Sequence, residues 1–155
     1  MFALAVLSLL AAGISGYLAW SGFTMTAAAG CGPGSSCDAV LSSRWSMWFG
    51  LPISLFAMAL YLTIAGAAVS LMLCRTSRRQ RRAWAWLVLL ISCAAGAAVW
   101  YIALQEFVVQ AYCPWCLAVH CIALLCVMIL LYRLPLDFSG KPPDDATPPT
   151  DSPRI

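Results

Sequence analysis

The chain has 155 residues, of which 63% are apolar and only 10% are charged, and its formal net charge is +3. A mean hydropathy of +0.86 excludes an ordinary soluble domain, because such a domain needs charged side chains to face water. The composition therefore indicates a membrane protein.

Four long stretches contain no formally charged side chain: residues 1–37, 45–74, 83–105 and 107–132. Each can supply the roughly 20 apolar residues that a helix needs to cross a bilayer core. They are too long and too continuously apolar for barrel strands, so all four are predicted to be helices, at about 2–22, 50–73, 83–109 and 114–133. The predicted fold class is an all-α membrane protein, a four-transmembrane-helix bundle.

The first span has one feature of a secretory signal peptide, since small residues follow it near Ala27. A signal peptide, however, begins with a positive charge and has a shorter apolar core, whereas "MFALAVLSLLAAG" contains no Lys or Arg. We therefore expect a spanning helix at this position.

A long first loop at about 23–49 carries Cys31 and Cys37, separated by Gly-Pro-Gly-Ser-Ser, a linker suited to turning and mobility. Within it, "SSCDAVLSS" predicts a short helix with Ser35, Ser36 or Asp38 as its N-terminal cap. The apolar residues of this short helix are expected to lie on the bilayer surface or dip into it.

The segment "RTSRRQRR" at 75–82, between the second and third spans, contains five arginines in eight residues. Such a run can bind nucleic acid, but beside two spans it more often determines topology, because short basic loops stay in the cytoplasm. We therefore expect no nucleic-acid partner, cytoplasmic chain ends, and exoplasmic loops at about 23–49 and 110–113.

The eight cysteines fall into two groups by position. Four lie within helices or at the cytoplasmic edge and are expected to be packing residues: Cys74, Cys93, Cys121 and Cys126. The other four lie in or beside the exoplasmic loops, where disulfides can form and persist: Cys31, Cys37, Cys113 and Cys116. A mobile dithiol in the loop beside a fixed one suggests a relay by thiol–disulfide exchange.

The segment "YCPWC" is predicted to begin the fourth helix, because proline is favoured in the first helical turn. The helix N-terminus favours thiolate over thiol, which is how a redox thiol is activated. At about 100° per residue, Cys113, Cys116 and His120 form one stripe along the helix.

Other interpretations of this stripe remain open. A structural disulfide between Cys113 and Cys116 would close a very short ring and so contribute little stability. A metal site would use these two cysteines and His120, with a fourth ligand from Cys31 or Cys37. A c-type haem attachment is excluded because Leu117, not histidine, follows the second cysteine. Redox-active thiols are the favoured interpretation, with no metal.

After Tyr132 the composition changes, and "LPLDFSGKPPDDATPPTDSPRI" carries six prolines and four aspartates with little to bury. This composition predicts a disordered cytoplasmic tail at 135–155 that follows a membrane domain at 1–134.

The Cys-x5-Cys of the first loop, the "LSSRWSMWFGLPIS" that follows it, and "YCPWC" at the last helix together resemble the vitamin K epoxide reductase family, particularly its bacterial members. The resemblance covers nearly all of residues 5–133. In DsbB-type quinone-linked oxidases the order of the two cysteine pairs is reversed, which favours the vitamin K epoxide reductase type.

The resemblance implies a four-helix bundle in the bacterial inner membrane that holds a quinone, ubiquinone or menaquinone, near the exoplasmic face. It also implies a thioredoxin-like, DsbA-type partner. By this resemblance Cys31 exchanges with the partner. Cys37 passes electrons to Cys113 through an interloop disulfide, and Cys116 faces and reduces the quinone.

Four further positions acquire roles from the resemblance or from their place in the chain. His120 matches a position where the animal enzymes carry a quinone-contacting tyrosine, and is expected to donate to the quinone or carry its protons. Trp115 is expected to wall the quinone pocket. Gln105 and Glu106, near the exoplasmic end of the third span, are expected at the membrane interface, and either could help to hydrate the site.

Two rival functions share much of this pattern. One is vitamin K epoxide or quinone reduction fed by a thioredoxin-like donor, which has the same cysteine layout. The other, from a different class, is a membrane metal-binding protein that uses the Cys and His stripe.

Overall fold

A computed structural model of the protein describes residues 1–73 and 77–133. It contains the helices α1 (Phe2–Thr24), α2 (Ser36–Leu41), α3 (Ile53–Leu73), α4 (Ser77–Ala103) and α5 (Pro114–Arg133). A π-helical segment, Leu104–Val109, extends α4. The first loop also contains a 3-10 turn, Arg44–Ser46, and the two-residue strands β1 (Met47–Trp48) and β2 (Leu51–Pro52). The predicted tail at 135–155 lies outside the described residues, as do Cys74 and Arg75.

Four helices in the described residues are long and apolar enough to cross a membrane, so the predicted all-α four-helix membrane fold is confirmed. Their bounds differ from the prediction by a few residues. The largest difference is the start of α4 at Ser77 rather than near residue 83. Arg and Gln are good helix formers, so the basic segment continues the helix beyond its apolar part. Much of this segment is therefore helix and not loop.

The bundle is held together by small and aliphatic side chains. α1 lies against α3 and α5, and α4 also lies against α3 and α5. Buried alanines on these faces let the helix backbones approach closely: Ala11, Ala68, Ala94, Ala98 and Ala123. Between them, Leu4, Ile64, Leu87 and Ile91 fill the interior.

Helix order places the two cysteine-bearing segments at the same end of the bundle. The end of α3 and the start of α4 lie at one end, and residues 25–52 and 110–113 lie at the other. We call this second end the cysteine end. The common placement expected of the two loops is therefore present in the structure.

The short helix α2 forms in the first loop, as predicted, and Ser35 is its cap. The Asp38 N–H donates to Ser35 Oγ at 3.2 Å, and the Gly34 N–H donates to Asp38 Oδ2 at 3.0 Å. Val40 and Leu41 are half-buried against the cysteines, whereas Ala39 is exposed. Contact of this helix with the bilayer surface stays a prediction.

A tight β-hairpin that the sequence did not predict returns the chain to α3. Its turn residues Phe49 and Gly50 both have positive φ, 51° and 79°, as a two-residue hairpin turn requires. Pro52 packs on Gly22 near the end of α1, where an added Cβ would lie only 3.1 Å from Pro52 Cγ. The hairpin thus fixes the end of the first loop to the bundle.

Candidate active site

The two predicted cysteine pairs meet at the cysteine end, in a second apolar cluster separate from the bundle core. Its buried members are Leu18, Ala28, Cys31, Cys37 and Cys113. Its half-buried members are Ile14, Val40, Leu41, Trp115 and Cys116. We call these ten residues the cysteine cluster. Helices α1, α2 and α5 all contribute to it, so the cluster depends on the loop being folded down.

Within the cysteine cluster one pair is oxidised and the other is reduced. Cys31 and Cys37 form a disulfide, whereas Cys113 and Cys116 are free thiols. The Sγ atoms of Cys37 and Cys113 are 3.5 Å apart. A disulfide bond is about 2.05 Å long, so these two sulfurs are in non-bonded contact. Thiol–disulfide exchange requires such an approach of one sulfur to another.

Cys113 lies at the N-terminus of α5, directly before Pro114, as predicted from "YCPWC". Its Sγ accepts the backbone N–H of Cys116 at 3.3 Å, in the way that a capping side chain does. The hydrogen bond from the Cys116 thiol lowers the pKa of Cys113 to about 7, against the opposing effect of burial, and backbone N–H groups of Cys116 and Trp115 add to the lowering. The Cys113 thiolate is therefore accessible near neutral pH.

Gln105 contacts Cys113 from the π-helical segment, and it was not predicted as a site residue. Its Oε1 accepts the Cys113 N–H at 2.9 Å. The side chain is only 3% exposed, whereas Glu106 is exposed. The position of both residues at the membrane interface stays a prediction. A lone amide eight residues before a redox cysteine, in an apolar span, was the signal available in the sequence.

Trp115 faces the first loop. Its Nε1–H donates to the Ala29 carbonyl at 2.9 Å, and the Ala29 N–H donates to the Tyr17 hydroxyl at 2.7 Å. The two rings pack on each other with centroids 5.5 Å apart. Both backbone polar groups of Ala29, two residues before Cys31, are thus held by aromatic side chains. We call Tyr17, Ala29 and Trp115 the loop clasp.

His120 lies one helical turn beyond Cys116 and is half-buried. Its ring stacks on Tyr101 of α4, with centroids 6.2 Å apart and an interplanar angle of 12°. Neither Tyr101 nor Tyr17 belongs to a recognisable spacing pattern, so the sequence offered no signal for them.

The arrangement of possible metal ligands bears on the metal alternative. In 1–73 and 77–133 no three His, Cys, Asp or Glu side chains are grouped so that they could hold a metal ion. The fourth metal ligand was expected to be Cys31 or Cys37. These two cysteines are bonded to each other in a disulfide.

The sequence model of the vitamin K epoxide reductase family matches residues 2–131. The chain belongs to the vitamin K epoxide reductase family. Members of this family are membrane thiol oxidoreductases that in general use quinones. The matched residues include both cysteine pairs, His120 and the loop clasp.

The residues of this family member fit a quinone beside α5. A quinone needs an apolar or aromatic wall and a donor for its carbonyl oxygen. The half-buried Cys116 shares its side of α5 with His120, whose ring is stacked on Tyr101. Imidazole and phenol groups can both donate hydrogen bonds. These side chains supply the chemistry that a lipid-soluble acceptor requires.

Proposed function

We propose that this protein oxidises the dithiol of a thioredoxin-like, DsbA-type partner. It passes the electrons through Cys31 and Cys37 to Cys113 and Cys116, and from there to a quinone. The observation that carries the proposal is the 3.5 Å contact between Cys37 Sγ and Cys113 Sγ inside a buried cluster. Two pairs that act independently have no need of such an approach.

The first exchange takes place between the partner and the loop pair. A partner thiolate attacks Cys31 Sγ, the Cys31–Cys37 bond breaks, and Cys37 leaves as a thiolate. The partner's second thiolate then attacks the partner sulfur of the mixed disulfide, and Cys31 is released. The partner is now oxidised, and the loop pair holds two electrons and takes up protons from the partner thiols.

The second exchange moves these electrons to the helix pair in its disulfide form. The Cys37 thiolate attacks Cys113 Sγ, the Cys113–Cys116 bond breaks, and Cys116 leaves. Cys31 then attacks Cys37, and Cys113 leaves as a thiolate. The products are a loop disulfide and a reduced helix pair, the same bonding that the structure contains.

The pKa of Cys113 supports this direction of electron flow. A thiol whose pKa is lowered to about 7 is a better leaving group than an ordinary one, and its reduced form is stabilised. Stabilising the reduced form makes the helix pair a better electron acceptor, which favours electron flow toward it.

A quinone, ubiquinone or menaquinone, when bound would accept the two electrons and two protons that turn the helix dithiol back into a disulfide. Cys116 is the thiol that we assign to face it, because Cys113 is directed at Cys37. His120 is the group that we assign to donate a hydrogen bond or a proton. Trp115 closes the loop side of the site through the loop clasp.

We further propose a multi-pass protein of the bacterial inner membrane with its cysteine end facing the periplasm. Arg78, Arg81 and Arg82 are exposed at the start of α4, and Arg133 is exposed at the end of α5, at the opposite end of the bundle. Basic residues beside spans favour the cytoplasm.

The test is oxidation of a reduced thioredoxin-like protein by the purified chain in lipid, with and without added quinone. We expect quinone-dependent oxidation by the wild type and none by Cys113→Ser or Cys116→Ser. Cys93→Ser and Cys121→Ser, which replace exposed free thiols on α4 and α5, are matched controls and should retain activity. Full activity of both active-site variants would refute the relay. Vitamin K epoxide in place of quinone distinguishes the reductase alternative.

A further inference from the structure

Three backbone N–H groups of the link between α4 and α5 converge on Gln105. The Gln110 and Ala111 N–H groups donate to its backbone carbonyl, the latter at 3.2 Å. The Cys113 N–H donates to its side-chain Oε1 at 2.9 Å. One residue therefore determines how the chain leaves α4 and where Cys113 stands when α5 begins.

We propose that Gln105 is a positioning residue for Cys113: its amide oxygen holds the Cys113 backbone so that Sγ remains against Cys37 Sγ. The inference rests on the proposed function only in that it assumes exchange between Cys37 and Cys113. The Gln105 side chain accepts a hydrogen bond from the Cys113 backbone and acts on the sulfur through that backbone.

Burial makes this hydrogen bond necessary. Cys113 has no exposed surface, so its N–H has no access to water. Pro114 contributes no N–H, which leaves the Cys113 N–H as the last main-chain donor before α5. A buried N–H without an acceptor is costly, and so is a buried amide without a donor. Each group supplies what the other lacks, and a leucine of similar size at position 105 would leave the N–H unpaired.

The π-helical segment explains how Gln105 reaches inward. Each π turn contains more residues than an α turn and rotates the side chains that follow, a distortion often found at functional sites. Here Gln105 is 3% exposed while Phe107 is 79% exposed and Val108 is 56% exposed. Gln110, with φ of 52°, then ends the segment so that the chain can turn toward Cys113.

The experiment measures the Cys37–Cys113 disulfide alone. In a Cys31→Ser/Cys116→Ser background these are the two remaining thiols of the site, and their equilibrium with glutathione reports how well they are held together. Gln105→Leu should lower that equilibrium constant by about tenfold, because the dithiol form can move the unpaired Cys113 N–H toward another acceptor and the disulfide form cannot. Gln80→Leu, the same change at an exposed position near the other end of α4, should leave it unchanged.

A second background separates positioning from general damage to the fold. In Cys113→Ser/Cys116→Ser, the equilibrium of the Cys31–Cys37 disulfide with glutathione should be the same with Gln105 or Leu. An unchanged Cys37–Cys113 equilibrium in Gln105→Leu would overturn the proposal, and so would an equal loss for both disulfides. Neither measurement uses quinone or partner. A failure of the quinone-dependent assay therefore does not affect the conclusion about Gln105, and a failure of the glutathione measurements does not affect the conclusion about quinone.

The pH profile gives an independent readout with a different substitution. Gln105→Glu keeps an oxygen acceptor of the same length and adds a negative charge near Cys113, which disfavours its thiolate. The rate of attack by Cys113 on the Cys31–Cys37 disulfide, measured in a Cys116→Ser background, should therefore decline at a higher pH than with Gln105. At alkaline pH the two rates should agree. A profile that does not move would contradict the placement of residue 105 beside Cys113.

Discussion

The Sγ atoms of Cys37 and Cys113 lie 3.5 Å apart although 76 positions separate the two residues in the chain. Cys37 is at the same time bonded to Cys31, and Cys113 is at the same time hydrogen-bonded by the Cys116 backbone. Each sulfur at the contact therefore has its own exchange partner within its own segment. This arrangement makes an interloop disulfide a short step from the observed bonding.

The first prediction is that an interloop disulfide forms once the competing partners are removed. In Cys31→Ser/Cys116→Ser, mild oxidation should link Cys37 to Cys113 in most molecules, because the two sulfurs need to approach by only about 1.5 Å to reach bonding distance. Peptide mass spectrometry without reduction identifies the link. The same background with Cys37→Ser should show none. If the linked peptide involves Cys93 or Cys121 instead, the observed approach is not the functional one.

The second prediction concerns pH. The pKa of Cys113 is lowered to about 7, so its thiolate persists down to neutral pH and is lost as the pH falls below that value. In Cys116→Ser, whose hydroxyl keeps a hydrogen-bond donor at position 116, attack by Cys113 on the loop disulfide should persist to a lower pH than attack by an ordinary thiol. Well below the pKa of Cys113 the rate should fall about tenfold per pH unit. Stopped-flow or quenched alkylation gives the rates.

A matched comparison tests the cause of the lowered pKa. The largest contribution is the hydrogen bond from the Cys116 side chain. Cys116→Ala removes that donor, whereas Cys116→Ser keeps a hydroxyl in its place. The Ala variant should therefore lose activity at a higher pH than the Ser variant. Identical profiles would assign the shift to the backbone N–H groups alone.

Features that depend on neighbouring residues or on the surrounding lipid could be predicted from the sequence. The four spans follow from the length of apolar runs, since a backbone in lipid must satisfy its own hydrogen bonds. The start of α5 follows from Pro114, whose missing N–H suits the first helical position. The cap of α2 by Ser35 is equally local. The segments that carry the cysteines could therefore be placed at one end of the bundle.

The contacts that bring the two cysteine pairs together could not be predicted, because they form between segments that are distant in the sequence. No sequence motif indicates the π-helical register that turns Gln105 inward. The same holds for the two hydrogen bonds of Ala29, which donates to the Tyr17 hydroxyl and accepts from the Trp115 indole. The hairpin turn at Phe49 was missed because phenylalanine is unusual at positive φ. Exchange between Cys37 and Cys113 was implied by the family resemblance alone, and it stays a prediction although the two sulfurs are in contact.

The third prediction concerns the loop clasp. Cys31 is only 3% exposed, so attack by a protein partner requires the loop to move away from the cysteine cluster. Tyr17→Phe removes the acceptor of the Ala29 N–H and keeps the ring, and one such bond contributes about 1 kcal/mol. In Tyr17→Phe, reduction of the Cys31–Cys37 disulfide by a small phosphine should be about fivefold faster, because the loop moves away from the cysteine cluster more often.

Trp115→Phe should have a similar effect, because it removes the donor to the Ala29 carbonyl while preserving an aromatic ring near Tyr17. Trp20→Phe, a change at an exposed ring on α1, is the control and should leave the reduction rate unchanged. Reduction rates that are the same in all three variants would show that the clasp does not limit access to Cys31.

The fourth prediction separates His120 from the exchange between sulfurs. His120→Ala should slow reoxidation of the helix pair by quinone at least tenfold, since proton transfer by a positioned side chain typically contributes about a hundredfold or more. The Cys37–Cys113 equilibrium in the Cys31→Ser/Cys116→Ser background should not change, because His120 stacks on Tyr101 and not on the cysteine cluster. Tyr101→Phe keeps the stacked ring and tests whether stacking alone is enough to hold the imidazole. The rate of quinone-dependent reoxidation in Tyr101→Phe should match the wild type. In Tyr101→Ala the rate should fall toward that of His120→Ala, because the imidazole loses its stacking partner. Unchanged quinone turnover in His120→Ala would remove the histidine from the mechanism.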